Sequence, residues 1–160
     1  MKTKLLTLGS ILAGLAATFT ASAATTGSVT LTGVVPATVA ITVAGSGSYN
    51  NLNLTATQTD LAVATVTETS NDSAGYKVTV ASANAGKLDN GAISNVTYTA
   101  KYNAVAFTLS STAVQVTSVA SQAAVISAAK TLAISYTGTP AASMMSGTYT
   151  DTLTFTIIAN

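Results

Sequence analysis

Cysteine, histidine, tryptophan and arginine are all missing from the 160 residues, and only 7% of the chain is charged. Without cysteine there is no disulfide to staple the fold, and no thiolate to act as nucleophile or zinc ligand. Without histidine the commonest general base and metal ligand is gone. The lysines at 77, 87, 101 and 130 are scattered, so the basic patch that a phosphate backbone requires is absent. The longest mostly apolar run, Leu5 to Ala17, falls short of the roughly 20 residues that span a bilayer as a helix.

That run has another use. Lys2 and Lys4 precede it and Ala21-Ser22-Ala23 follows it, the order of a cleavable export signal over residues 1–23. Of the 160 residues, the 137 left after the first 23 are the size of one domain with one core. Both leader lysines leave with the signal. The remaining four lysines face Asp60, Glu68, Asp72, Asp89 and Asp151, so the mature chain is close to neutral. At 48% apolar residues in alternating runs, the composition is that of a folded chain rather than a disordered one.

Thr and Val dominate, and their β-branching favours the pleated conformation over the helix. Gly27 to Gly33 reads as a strand with Val29 and Leu31 on one face, and Thr38 to Val43 as another with Val39, Ile41 and Val43 aligned. From Ala44 to Asn53 the chain has turn chemistry. In Asp60 to Thr69, Leu61 and Val63 run in step and Val66 out of step, which calls for a bulge near Ala64. Asn71 to Gly75 is a turn signal and Tyr76, Val78 and Val80 alternate after it, the look of a hairpin. Ala83 to Gly91 reads as loop with Lys87 and Asp89 solvated. Val96, Tyr98, Ala100 and Tyr102 form the next face, followed by Val105, Phe107 and Leu109, then Val114 and Val116. Ser118 to Lys130 is either a short Ala-rich helix or part of a strand. Leu132, Ile134 and Tyr136 alternate. The most regular stretch is the last: Tyr149, Asp151, Leu153, Phe155 and Ile157 on one side, Thr150, Thr152, Thr154 and Thr156 on the other.

About eight strands at this spacing, with no sustained helical period, predict an all-β antiparallel sandwich. No catalytic constellation stands out, so the expectation is a non-enzyme without cofactors. Glycoside hydrolysis wants two carboxylates flanking a cleft, and Asp72 and Asp89 sit in turn contexts where solvated Asp is ordinary. Asn71, Asp72, Asp89 and Asn90 show no calcium-loop spacing. Asp151 lacks a partner carboxylate. It sits either at the exposed start of its strand or before an inward face that begins at Leu153.

Three segments resemble subunits of fimbriae assembled by the chaperone-usher route. Gly27-Ser-Val29-Thr-Leu31-Thr-Gly33-Val-Val35 is similar to the N-terminal donor segment of such pilins. Asn71-Asp-Ser-Ala-Gly75-Tyr76-Lys-Val78 resembles their Asn-x-x-x-Gly-Tyr turn and strand. Ser146-Gly147-Thr-Tyr149-Thr-Asp-Thr-Leu153-Thr-Phe155-Thr-Ile157 resembles their last strand. The cysteine-free colonization-factor branch is the nearer in pattern. The disulfide-bearing branch would place a cysteine near Val39 and Ala40, and a penultimate tyrosine where Ala159 stands.

The resemblance implies an immunoglobulin-like sandwich over residues 36–160 that lacks its last strand, with residues 24–35 as a donor strand for a neighbouring copy. Gly27, Val29, Leu31, Gly33 and Val35 would be the donor residues, the glycines passing where a Cβ would collide. Tyr149, Leu153, Phe155 and Ile157 would form the acceptor strand, bound first by a periplasmic chaperone. The implied partners are further copies of the chain, that chaperone, an outer-membrane usher and a tip adhesin. The implied route runs through the periplasm to a surface fimbrium that supports adhesion or biofilm formation. The other reading open at this point is a secreted, self-complete sandwich that binds carbohydrate or builds a biofilm matrix.

Overall fold

The computed structural model describes residues 24–47, 49–91 and 94–160. The expected export signal lies outside the described residues. The chain divides into two units, 1–34 and 35–160. In the first, residues 24–34 are exposed and have no regular secondary structure. The strand expected at Gly27 to Gly33 is therefore not formed in the isolated chain. A strand is defined by its ladder, and alternation alone supplies no partner.

The second unit is all-β with antiparallel pairing throughout, and no α-helix occurs among the described residues. Its strands are β1 (Val39–Gly45), β2 (Gln58–Ser70), β3 (Tyr76–Ser82), β4 (Lys87–Asp89), β5 (Asn95–Tyr102), β6 (Val105–Phe107), β7 (Val114–Val119), β8 (Ile126–Tyr136) and β9 (Leu153–Ala159). One sheet runs β1-β2-β8-β5-β4, with β6 also on β5; the other runs β7-β3-β9. The inward residues of the two sheets share one interior. Val66, Val78 and Val80 are buried there, and the rings of Tyr102 and Phe155 lie 5.8 Å apart across it.

The bulge sits where the change of step placed it. Ala62 pairs with Ala133 and Ala64 with Leu132, so Val63 is the extra residue, and Val63 and Ala64 are both buried. Beyond it Val66, Glu68 and Ser70 face inward. Three local expectations change and one open choice is decided. Asn71 to Gly75 does not close a hairpin, because β2 and β3 belong to different sheets and the turn carries the chain from one to the other. Residues 87–89 are a short strand rather than loop, anchored by buried Leu88. In 118–130 the strand alternative holds over the helix, with β7 ending at Val119 and β8 beginning at Ile126. The last strand begins at Leu153, with only an isolated Thr150–Asp89 bridge before it.

Two inward carboxylates join the sheets. Glu68, fully buried, accepts hydrogen bonds from the hydroxyls of Tyr76 (3.0 Å), Tyr102 (2.6 Å) and Thr117 (2.8 Å), which stand on β3, β5 and β7. Three donors around one anion are what a buried carboxylate without a cation needs. Burial, with the Glu68 bond and charge behind it, pushes the Tyr76 phenol up to about 12 and raises Tyr102 as well.

Candidate functional site

β1, which pairs only with β2, and β9, which pairs only with β3, are edge strands that lie in contact along the side where the sheets meet. Between them opens a groove of 380 Å³. Its floor is the core itself: Val63, Leu132 and Ile134 from the larger sheet, with Leu153 and Phe155 from β9. Val43 on β1 and Tyr49 in the following turn stand at its rim, both half-exposed. The Tyr49 ring lies against Gly45, where a Cβ would come within 2.6 Å of it.

The groove follows from local sequence. β9 alternates Leu153, Phe155 and Ile157 inward with Thr154 and Thr156 outward, which fixes the apolar side against the core. β1 carries its alternation only as far as Val43 before Gly45 and the turn, so the cover it provides ends where Leu153 and Phe155 remain half-buried. An edge with free N–H and C=O groups beside an open apolar floor is a site for pairing with another strand.

Asp151 marks the polar end of the groove. Its Oδ2 accepts from the hydroxyls of Ser82 (2.6 Å) and Tyr98 (2.6 Å), and its Oδ1 from the backbone N–H of Asn84 (2.9 Å) and Thr152 (2.7 Å). The carboxylate is thus engaged by β3, the turn after it and β5, and fixes the point at which β9 starts. It is half-buried and precedes β9, whose inward face begins at Leu153, the second of the two expectations for it. Burial, then the bond to Asp151, raises the Tyr98 pKa well above the ordinary phenol value.

Of the acceptor residues expected from sequence, Leu153 and Phe155 line the groove, and Ile157 lies farther along the same half-buried face of β9. Tyr149 lies before β9 and lines a separate hollow of 570 Å³ with Leu52, Leu54 and Met144. Its hydroxyl donates to the Met145 carbonyl at 2.8 Å and meets the Ser94 hydroxyl at 2.9 Å.

The donor residues are exposed: Val29 by 81%, Leu31 by 89% and Val35 by 84%. A Cβ on Gly27 or Gly33 would meet nothing within 4 Å, so the chain's own fold makes no demand for glycine there. Sequence reasoning missed Tyr49, Gly45 and Val43 as groove walls, since nothing local distinguishes a rim residue from a turn or a core residue. It also missed Glu68, although its position two residues after Val66 gave its inward parity.

The groove offers shape and edge hydrogen bonding. Among the described residues no three His, Cys, Asp or Glu side chains converge on one point, and the ion pair Lys101–Asp60 (2.8 Å) lies on the surface. No protein-family model and no curated protein matches the chain.

Proposed function

We propose that the chain is a structural shaft subunit of a surface fimbria, an immunoglobulin-like sandwich short of one strand, whose groove receives residues 24–35 of another copy. The observation that carries this reading is the presence of an open apolar groove beside the free edge of β9 together with four exposed apolar residues, Val29, Leu31, Val34 and Val35, ahead of β1. In the order β7-β3-β9 the strand β9 is an edge, and it borders the apolar groove. A donor there gains main-chain hydrogen bonds from β9. Burying Val29 and Leu31 stabilises the complex by about 1.5 to 3 kcal/mol each. The engaged Asp151 presents no unpaired charge to it.

An edge left open in this way invites aggregation. The resemblance to chaperone-usher pilins supplies its remedy: a periplasmic chaperone covers the edge of β9 first, and at the usher the next copy's segment replaces it. The near-neutral, Thr- and Ser-rich surface suits close packing of copies in a fibre.

The test is complementation. Mature protein lacking residues 24–35 is mixed with a synthetic peptide of that segment and followed by thermal unfolding and peptide fluorescence. The expected result is a body whose unfolding temperature rises on saturable peptide binding. A truncated body that unfolds cooperatively alone and ignores the peptide would instead favour the self-complete, carbohydrate-binding or matrix module.

A further inference from the structure

The chain between the exposed N-terminal segment and β1 is held to one corner of the body by a single side chain. The backbone N–H of Thr38 donates to Asn71 Oδ1 at 2.6 Å, and Asn71 Nδ2 donates to the Pro36 carbonyl at 3.0 Å. The Asn71 N–H completes the contact by donating to the Thr38 carbonyl at 3.1 Å. A backbone N–H only donates and a carbonyl only accepts, so these partners fix which way the amide points.

Neighbouring residues stiffen the same point. Pro36 has its φ set by the ring, and Val35, preceding a proline, is confined to extended backbone. The corner itself, residues 71–75, is tied in turn to the end of β9. Asn160 donates from its side-chain amide to the carbonyls of Val119 (2.6 Å) and Ala74 (3.0 Å), and from its N–H to Gly75 (3.2 Å).

We propose that Asn71 is a positioning residue for assembly, pinning the exit of the chain so that successive copies abut at this corner with no free linker; this rests on the subunit reading above. Val35 is the last apolar residue of the donor segment and Pro36 is already clamped. One residue spans at most about 3.6 Å. A copy whose groove holds Val35 therefore stands directly against residues 71–75 of the copy that donates it. Ser73 and Ala74, the exposed residues of that corner, are small and uncharged and allow the approach.

Electron microscopy of purified fibres tests this with three chains: wild type, Asn71→Ala, and a chain with Gly-Ser-Gly-Ser inserted between Val35 and Pro36. Wild type is expected to give fibres with a defined axial repeat. Both variants are expected to polymerise and to lose that repeat, while the monomer carrying the insertion unfolds at the wild-type temperature. Loss of the repeat without loss of stability is what a merely structural role would not produce. If Asn71→Ala does not fold, Asn71→Asp, which keeps the acceptor for Thr38 and loses the donor to Pro36, replaces it with the same expected loss. A repeat kept by the Asn71 variant overturns the proposal and leaves the subunit reading standing; a wild type that forms no fibres removes the subunit reading itself.

Discussion

If residues 24–35 are the donor proposed above, Leu31→Asp is expected to separate folding from assembly, because the side chain is 89% exposed in the isolated chain. Its removal costs the monomer no buried area, and surface substitutions away from special features usually stay within about 0.5 kcal/mol. In the groove of another copy the same side chain would contribute about 1.5 to 3 kcal/mol by burial. Truncation to Ala therefore weakens donor binding by about 2 kcal/mol, roughly 30-fold. Asp loses the leucine term and also places an unpaired carboxylate over Leu153 and Phe155, a further cost of about 2 kcal/mol. A total near 4 kcal/mol is roughly a thousandfold loss. The assay is polymer formation by purified mature protein, followed by size-exclusion chromatography and electron microscopy, with thermal unfolding of each monomer as control. Wild type and Leu31→Asp are expected to share an unfolding temperature and a chaperone-bound form, and only wild type to form fibres. Polymerisation of Leu31→Asp at the wild-type rate would refute the reasoning.

Glu68→Ala leaves the hydroxyls of Tyr76, Tyr102 and Thr117 without their acceptor in the core, and is expected to lower stability in urea by about 3 to 5 kcal/mol; a loss under about 1 kcal/mol would contradict the clamp. Alkaline stability follows from the tyrosines. With Tyr76 held at about 12 and Tyr98 and Tyr102 also raised, the folded chain binds protons that the unfolded chain releases near pH 10. Their contribution is complete below about pH 10 and lost as pH rises through the folded values, so ionisation seen at 295 nm should coincide with loss of strand circular dichroism. Gly75→Ala is expected to abolish the native fold at 37 °C, since Gly75 has φ +87° and a Cβ there would collide with the Val119 carbonyl; soluble, cooperative unfolding of that variant would argue against the corner described above.

Period-two alternation of β-branched and aromatic residues by itself determined which side chains face inward along most strands. Tyr76, Val78 and Val80, then Val96, Tyr98, Ala100 and Tyr102, then Leu132, Ile134 and Tyr136 are buried as their spacing requires. Even the bulge at Val63 was legible, because a change of step within one strand is a local property. Partner choice was not local. Asn71 to Gly75 has the same turn chemistry whether it closes a hairpin or crosses between sheets, and the crossing is decided by β8, which pairs with β2 from more than 50 residues away. Leu88 is one apolar residue in a three-residue strand, too short for any period to register. The four donors that hold Asp151 come from residues 82, 84, 98 and 152, so only the folded chain brings them together. The groove depends on both kinds of information. Sequence gave β9 its apolar face, but that face stays half-open because strand pairing placed β1 and β9 at the margins of different sheets, and margins are set by long-range pairing.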